Sequence, residues 1–521
     1  MAAFVVSNLF GLARSVLVAH TFGTGLELEA FTPANRVSEF LFTLVAGGAL
    51  ASAFIPTFTG LLTKEDRQGA WKLASAIVNW ILILTSAASL IAAIFAEPIA
   101  RYLLVPGFAD EPVKLTLTVD LMRLMLPTVV IFGISGLVMG ILNAHQKFLV
   151  PALTPTMYSL GQIFGVLVLA PSMGIYGLAW GVLIGAALHL GLQIPALLRL
   201  RGKYSPTLGR SFEPVREVGR LIGPRLYGVA IVQLNFWINT VLASTSIMLD
   251  GSINAVTYAF TIMLMPQAAI AQSIAIAAMP TLSAQFARGQ LGEIRSSLAA
   301  ALRGVLLLSI PASVGLIILR KPIVELLFQR GEFTSYSTEL VAWALLWFAA
   351  GLVAHSVVEI LARAFYSLHD TKTPVIVGGA AMTLNILLSI GLSFLFSQVG
   401  WMPHGGLALA NTIATALEMV GLLVLMSRRL EGLQGKSIWK SVFQGGAAAA
   451  AMGLALWAWL EYASDRPSWL IVFVGFAVGV IVYGTAITLQ RPAEVRWVVD
   501  MFRRKLLKRQ KSEVRSQTDD R

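Results

Sequence analysis

The chain runs to 521 residues with no cysteine, 56% hydrophobic and 13% charged residues, and a formal net charge of +12. A soluble protein carries about 25% charge, so a soluble globular fold is excluded; the missing cysteines exclude disulfides, thiolate metal sites and cysteine nucleophiles but leave the compartment open. Apolar stretches of about 20 residues or more recur from end to end, which predicts an all-α polytopic membrane protein, since barrel strands alternate and seldom give such runs.

Fourteen spans are expected, near 2–22, 37–62, 72–97, 116–143, 149–171, 175–198, 218–248, 253–285, 297–319, 338–367, 373–396, 404–427, 438–461 and 467–489. The first lacks a basic leader and continues into a membrane pattern, so it reads as a span rather than a signal peptide. It carries Arg14 inside "NLFGLARSVLVAHTFG", with no acidic residue at its helical neighbour positions. An arginine at the centre of a membrane helix costs about 2.5–3.5 kcal/mol on insertion scales. Snorkelling to the boundary is the plain account of such a residue. A role in a wet cavity is the functional one, with Glu29, Glu39 or a ligand anion as its partner.

Arg36, just ahead of the second span, and Glu39 within it lie at i,i+3, Asp120 and Arg123 in the fourth at i,i+3, and Glu359 and Arg363 in the tenth at i,i+4. Each pair can neutralise itself on one helix face. Gln233, Asn235, Asn239 and Thr240 cluster in the seventh span, Asn385 and Ser389 lie one turn apart in the eleventh, and Asn411, Thr412, Thr415 and Glu418 fall in the twelfth. Asn235, Asn239, Asn385, Ser389, Thr412 and Thr415 form a candidate cation site, because oxygen-bearing side chains suit a small hard cation. Interhelical hydrogen bonding is the more ordinary use of such residues. Prolines interrupt many spans and free backbone groups for bending.

Lys and Arg collect after the sixth span (Arg199, Arg201, Lys203, Arg210, Arg216, Arg220), after the twelfth (Arg428, Arg429, Lys436, Lys440) and in the tail from Arg491, which holds ten basic residues against five acids. This is a positive-inside pattern rather than a nucleic-acid footprint, and it places both termini in the cytoplasm. Val495, Trp497, Val498, Met501 and Phe502 beside the basic tail residues suit either a solvated tail or one lying on anionic lipid headgroups.

An internal repeat runs through the chain. "GLAWGVLIGAALHLG" from Gly177 matches "GLALANTIATALEMVG" from Gly406 at an offset of 229 residues. Pro56-Thr57 matches Pro280-Thr281 at 224, Pro151 matches Pro374 at 223, and Gly107 matches Gly331 at 224. The expected organisation is two pseudo-symmetric six-helix lobes, 1–203 and 204–430, then two further helices over 431–490 and a basic cytoplasmic tail over 491–521. Parallel repeats of this kind let two halves rock about a central site.

No catalytic constellation emerges, so an enzyme is not expected. The six histidines show no HExxH and no paired ligand spacing, no metal site is indicated, and no GxxxxGK[ST] phosphate loop marks an ATP motor. Transport would draw on an ion gradient, the membrane potential or substrate supply; Na+ or H+ coupling is the candidate, and no cofactor is expected.

The segments "GLARSVLVAHTFGTG" (11–25), "VPGFADEP" (105–112), "GILNAHQKFLVPALTPT" (140–156), "LFQRGEFT" (327–334) and "FYSLHDTKTPV" (365–375) together give the chain a resemblance, over its whole length, to the lipid II flippase family MurJ (MviN) of the multidrug/oligosaccharidyl-lipid/polysaccharide (MOP) exporter superfamily. The resemblance implies a bacterial inner-membrane protein that moves undecaprenyl-pyrophosphate-linked peptidoglycan precursor from the inner to the outer leaflet by alternating access, with membrane lipids around it and a monomer as the working unit. It implies a cationic central cavity in which Arg14 faces the pyrophosphate, with Arg36 and Arg225 as helpers and Ser7, Asn8, Glu29 and Glu39 nearby. It also implies a lipid-tail groove on the last two helices. The chain departs from the family pattern where arginines are usual. Asn8 follows Ser7, Phe42 stands in the second span, Phe260 and Thr261 replace an acid–arginine pair, and Leu264 replaces a nearby acid. Two alternatives follow: export of another polyprenyl-linked glycan or amphipathic small molecule, and a non-transporting membrane scaffold.

Overall fold

Apolar runs with no water to hydrogen-bond their backbones satisfy themselves as helices, and helices make up most of the described chain, with no strand among the described residues. The computed structural model describes residues 2–45 and 49–490, with side chains at 6–41, 43, 53–222, 233–235 and 237–490. The basic tail, which the sequence offers as a headgroup ligand, lies outside the described residues. The helices are α1 (Ala2–Phe22), α2 (Leu26–Val45), α3 (Ala49–Thr63), α4 (Arg67–Ile94), α5 (Pro112–Ala144), α6 (Leu149–Met173), α7 (Ile175–Leu198), α8 (Glu213–Ala243), α9 (Ser252–Ala287), α10 (Leu291–Phe328), α11 (Ser335–Ser367), α12 (Lys372–Gln398), α13 (His404–Arg429), α14 (Gly435–Tyr462) and α15 (Ser468–Gln490).

Eleven of these, α4–α7 and α9–α15, are long and apolar enough to cross a membrane. The other expected spans fall on α1, on α2 with α3, and on α8. Charge dilutes two of these, with Glu27, Glu29, Arg36 and Glu39 in α2 and Glu213, Arg216, Glu217, Arg220 and Arg225 in α8. Proline shapes several helices: Pro127 opens the second half of α5, and Pro266 is followed at once by a widened π turn over Ala268–Gln272 in α9.

The chain divides into two compact units. The first takes Met1–Ala255, Leu327–Leu340 and Ser389–Leu407; the second takes Val256–Leu326, Val341–Leu388 and the chain from Ala408.

In the first unit α6 and α7 meet along glycines. Gly161 and Gly165 face Gly185 and Gly181 so closely that a Cβ at any of them would strike the opposite backbone; small residues let membrane helices approach in this way. A core of Phe54, Phe58, Leu73, Ile77, Leu137 and Val218 joins α3, α4, α5 and the start of α8. The irregular segment before α8 is strapped along α4. Asn79 donates to the Thr207 carbonyl (2.8 Å) and Trp80 to that of Leu208 (3.0 Å), so backbone groups without a helix find side-chain partners.

The end of this unit where α1 closes is knit by polar contacts. Thr24 and Ser337 share a hydroxyl hydrogen bond (2.8 Å), Asn254 donates to the Thr24 carbonyl (3.1 Å), and Thr32 donates to Asn254 (2.6 Å). Two glycines fix the approach. A Cβ at Gly107 would run into the carbonyl of Ser244, at the end of α8, and one at Gly331 into the carbonyl of His20, at the end of α1. Gly107 and Gly331 lie 224 residues apart, and so do His20 and Ser244. The two contacts are therefore repeat-related copies of each other.

A buried ion pair sits in the same region. Lys114 Nζ lies 2.7 Å from Glu29, 3.3 Å from Asp250 and 3.6 Å from Glu111, and the Lys114 and Glu29 side chains are each 3% exposed. The ammonium also lies over the Phe108 ring at 4.3 Å.

In the second unit Leu298, Leu302, Val357, Leu361, Leu422 and Met426 gather α9, α10, α11 and α13 around one core. The pair α14 and α15 packs on α10 through Leu319, Met452, Leu456 and Ile471, and the Tyr483 hydroxyl donates to the Leu307 carbonyl. Asp370 caps α12: its carboxylate accepts from the amides of Lys372 (3.1 Å) and Thr373 (3.0 Å), from the Thr373 hydroxyl (2.8 Å), and from Arg429. The Thr373 amide, helped by its hydroxyl and by Arg429, holds the Asp370 carboxyl below the usual carboxylate range against the opposing effect of burial.

Two expectations follow for thermal unfolding of the purified chain in detergent. Removing one member of a buried ion pair costs about 3–5 kcal/mol, while replacing both with apolar groups is close to neutral; Lys114→Met should lose much of the folded-state stability, and Lys114→Met with Glu29→Leu should regain most of it. Equal stability of the single and double variants would show that the pair is not coupled. Asp370→Ala should lose about 1 kcal/mol of cap energy near neutral pH. Because the folded pKa is depressed, that contribution is present above the unfolded value of about 3.9 and fades as pH falls through the folded one. The gap between variant and parent should therefore close in acid.

Candidate functional site

Arg14 sits in the middle of α1, half-buried, and no hydrogen bond or ion pair reaches its guanidinium among the described residues. Beside it stands a polar group drawn from α2 and α6. Asn35 donates to Glu39 (2.8 Å) and Arg36 lies 4.0 Å from the same carboxylate. The Tyr158 hydroxyl is in hydrogen-bond reach of Asn35 and Gln162, with Glu39 and Arg14 as the charges acting on it. Glu39 answers Arg36, so the set carries one guanidinium left over. A planar fork of donors with no carboxylate of its own is suited to a phosphate or pyrophosphate, which accepts two parallel hydrogen bonds.

The other expected residues distribute as follows. Glu29 is taken by Lys114 and is not the partner of Arg14. Ser7, two turns from Arg14 along α1, is half-buried and Asn8 is exposed. The Arg225 and Phe42 side chains lie outside the described residues. Arg363 and Glu359 form their expected pair at 2.6 Å. Asp120 and Arg123 do not pair. Arg123 donates instead to the Ala93 carbonyl (3.2 Å), and Asp120 accepts a long hydrogen bond from Tyr176 (3.5 Å); a carbonyl freed near the end of α4 competes with the neighbouring carboxylate.

Of the candidate cation ligands, three meet in the first unit. Asn239 donates to Asn235 (3.1 Å) and Ser389 approaches Asn239 at 3.5 Å. In the second unit Asn385 is buried, Thr412 donates to the Trp347 carbonyl (2.7 Å), and Thr415 lies 3.4 Å from His355. No cluster of three or more His, Asp or Glu side chains fit for a metal occurs among the described residues.

Where the resemblance leads one to expect an acid–arginine pair, Phe260 packs edge-on against Phe348 (5.2 Å) and Thr261 turns back to the Thr257 carbonyl (2.8 Å). Aromatic packing and a hydroxyl turned to its own helix occupy that place in this chain. Tyr158, Gln162 and Lys114 escaped the sequence reading. Tyr158 and Gln162, four residues apart on α6, share a helix face, which was the available signal. Lys114 gave none, because its partners lie far away in the sequence.

A family model described as "Lipid II flippase MurJ" matches residues 18–478. The chain is 29% identical over 495 residues to the probable lipid II flippase MurJ of Vibrio cholerae, covering 92% of each, and 28% identical over 475 residues to the lipid II flippase MurJ of Burkholderia cenocepacia, covering 88% of each. Among solved structures it is similar to a lipid II flippase MurJ in an inward closed conformation, with a TM-score of 0.80, 25% identity and coverage of 94% of this chain and 97% of that one. An inward-facing MATE-family multidrug transporter of the MOP superfamily shares the fold at a TM-score of 0.68 and 16% identity, with 83% and 96% covered. The chain is thus a multi-pass membrane protein and belongs to the lipid II flippase MurJ family.

Proposed function

We propose that this chain flips a polyprenyl-pyrophosphate-linked peptidoglycan precursor across the bacterial inner membrane, with the pyrophosphate seated on Arg14. The observation that carries this reading is the half-buried guanidinium, unpaired among the described residues, within electrostatic range of the Tyr158 hydroxyl that Glu39 also acts on. Left idle, a charge at that depth is only a cost; a ligand anion repays it through charge-assisted hydrogen bonds worth about 1.5–3 kcal/mol. Arg36, on the next helix, is engaged by Glu39.

The architecture we assign has fourteen spans. Residues 1–203 and 204–430 form two six-helix lobes, and α14 with α15 forms a groove for the lipid tail. The repeat-related contacts of Gly107 with Ser244 and Gly331 with His20 support the two lobes. The basic segments after α7 and α13 support cytoplasmic termini, which sets the Lys114 cluster at the outer face. The cycle is alternating access by a monomer. It does no chemistry on its cargo and draws on a gradient rather than ATP, and the substrate must bind the two states unequally to drive any change between them.

A second reading is favoured by one observation. Phe260 and Thr261 stand where the resemblance implies an acid–arginine pair, and a smaller cationic set would suit another polyprenyl-linked glycan.

Complementation of a flippase-depleted bacterium tests the reading. The chain should rescue growth, and Arg14→Ala should abolish rescue while raising the Kd for lipid-linked pyrophosphate about 10- to 100-fold. Lysine at the same position should rescue poorly, because it cannot donate two parallel bonds. Absent rescue despite normal insertion favours the second reading or a scaffold, and rescue unaffected by Arg14→Ala removes Arg14 from the site.

A further inference from the structure

The second unit holds a column of polar side chains that the Arg14 site does not use. On α11, His355, Glu359 and Arg363 follow one another at i, i+4 and i+8, with Tyr366 in the last turn; on α13, Asn411, Thr415 and Glu418 form one stripe. The stripes meet. His355 Nε2 donates to Asn411 Oδ1 (2.9 Å) and lies 3.4 Å from the Thr415 hydroxyl. At 1.5 Å rise per residue, the α11 side of the column runs about 16 Å along the membrane helix.

Within it the charges are not balanced. Glu359 is held by both Nε (2.9 Å) and a terminal nitrogen (2.6 Å) of Arg363. Glu418 sits half-buried in α13, a helix apolar enough to span, and no hydrogen bond or ion pair reaches it among the described residues. Space is reserved for its carboxylate on α12, where a Cβ at Gly378 would lie 3.2 Å from Glu418 Oε1. From α11 the groups in electrostatic range of the Tyr366 hydroxyl are Glu359, Glu418 and Arg363. α9 from Val256 on, and α12 beyond Lys372, carry no ionisable side chain apart from Tyr258. On its own helix Glu418 has Ala414, Thr415, Gly421 and Leu422 as neighbours, none of them charged. Tyr366 is 40% exposed and lies toward the end of α11 where Arg429 meets the Leu368 carbonyl, so the column has its mouth at the protein surface there.

An unpaired carboxylate inside an apolar helix is stable when it carries a proton, and lines of Glu, His and hydroxyl groups at that depth form proton relays. We propose that the α11–α13 column is a proton-binding site, with Glu418 as the group that takes the proton and His355, held by Asn411, at its inner end. Glu418 as carboxylate accepts one proton from the Tyr366 mouth to become the neutral acid, and returns it as a carboxylate when the site opens again. Nothing else is consumed. Only the step from proton binding to substrate movement rests on the transport reading.

The test reads protonation directly. The purified full chain in sodium-free buffer is titrated while infrared difference spectra are recorded. The parent should show a buried carboxylic C=O band that titrates with pH. Glu418→Gln should lose it, Glu359→Gln should keep it, and Gly378→Ala, which crowds the carboxylate, should shift its midpoint. In liposomes with a fluorescent lipid-linked pyrophosphate, Glu418→Gln should still bind the lipid but lose the pH dependence of flipping. A band that survives Glu418→Gln, or one that sodium abolishes at constant pH, overturns the proposal. Absence of flipping in parent and variant alike strikes the transport reading alone, because the infrared band does not depend on it.

Discussion

A charge placed in an apolar helix must be answered, and how each one is answered explains most of what is specific to this chain. Glu29 and Lys114 are buried together at 2.7 Å. Glu359 and Arg363 neutralise one another on one helix face, Arg36 leans on Glu39, and Arg123 falls back on a carbonyl. Among the described residues, no hydrogen bond or ion pair reaches the Arg14 guanidinium in the first unit or the Glu418 carboxylate in the second. A membrane tolerates such remainders where a mobile ligand completes them. An anion would complete the first and a proton the second.

The fold supplies rigidity where these groups need it. Glycines let α6 and α7 touch backbone to backbone, so Tyr158 and Gln162 on α6 are carried on a stiff pair. The copied contacts at Gly107 and Gly331 tie the ends of α8 and α1 into the same unit, and each tolerates no side chain. The α6–α7 glycines and this pair thus settle backbone spacing, while the polar side chains between the helices settle which arrangement is adopted.

Much of this was legible in the sequence. Long apolar runs can only be helices in lipid, so the spans on α4–α7, α9 and α11–α15 emerged close to their observed bounds, while α10 runs nine residues past its expected end. The Glu359–Arg363 pair was legible because i,i+4 spacing is a local geometric fact. Asp120 and Arg123 looked the same locally and behaved differently, since an acceptor from α4, Ala93, intervened. Lys114 was invisible because its value depends on Glu29 and Asp250, 85 residues before it and 136 after it. Arg14 stood out by what it lacked, an acidic neighbour within one turn, and the described structure supplies none from elsewhere. Phe260 and Thr261 were read as lost charges; the structure adds that Phe260 now packs an aromatic cluster with Phe348 and His355.

The absence of cysteine from the whole chain allows the central claim to be tested on a background free of native thiols. Arg14→Cys, as the single thiol, is exposed to a charged, membrane-impermeant maleimide with and without lipid-linked pyrophosphate. The account predicts reaction from the aqueous phase and protection by the lipid-linked pyrophosphate beyond that given by the polyprenol alone. Reaction only with a lipid-soluble maleimide, or labelling indifferent to the pyrophosphate, would contradict it.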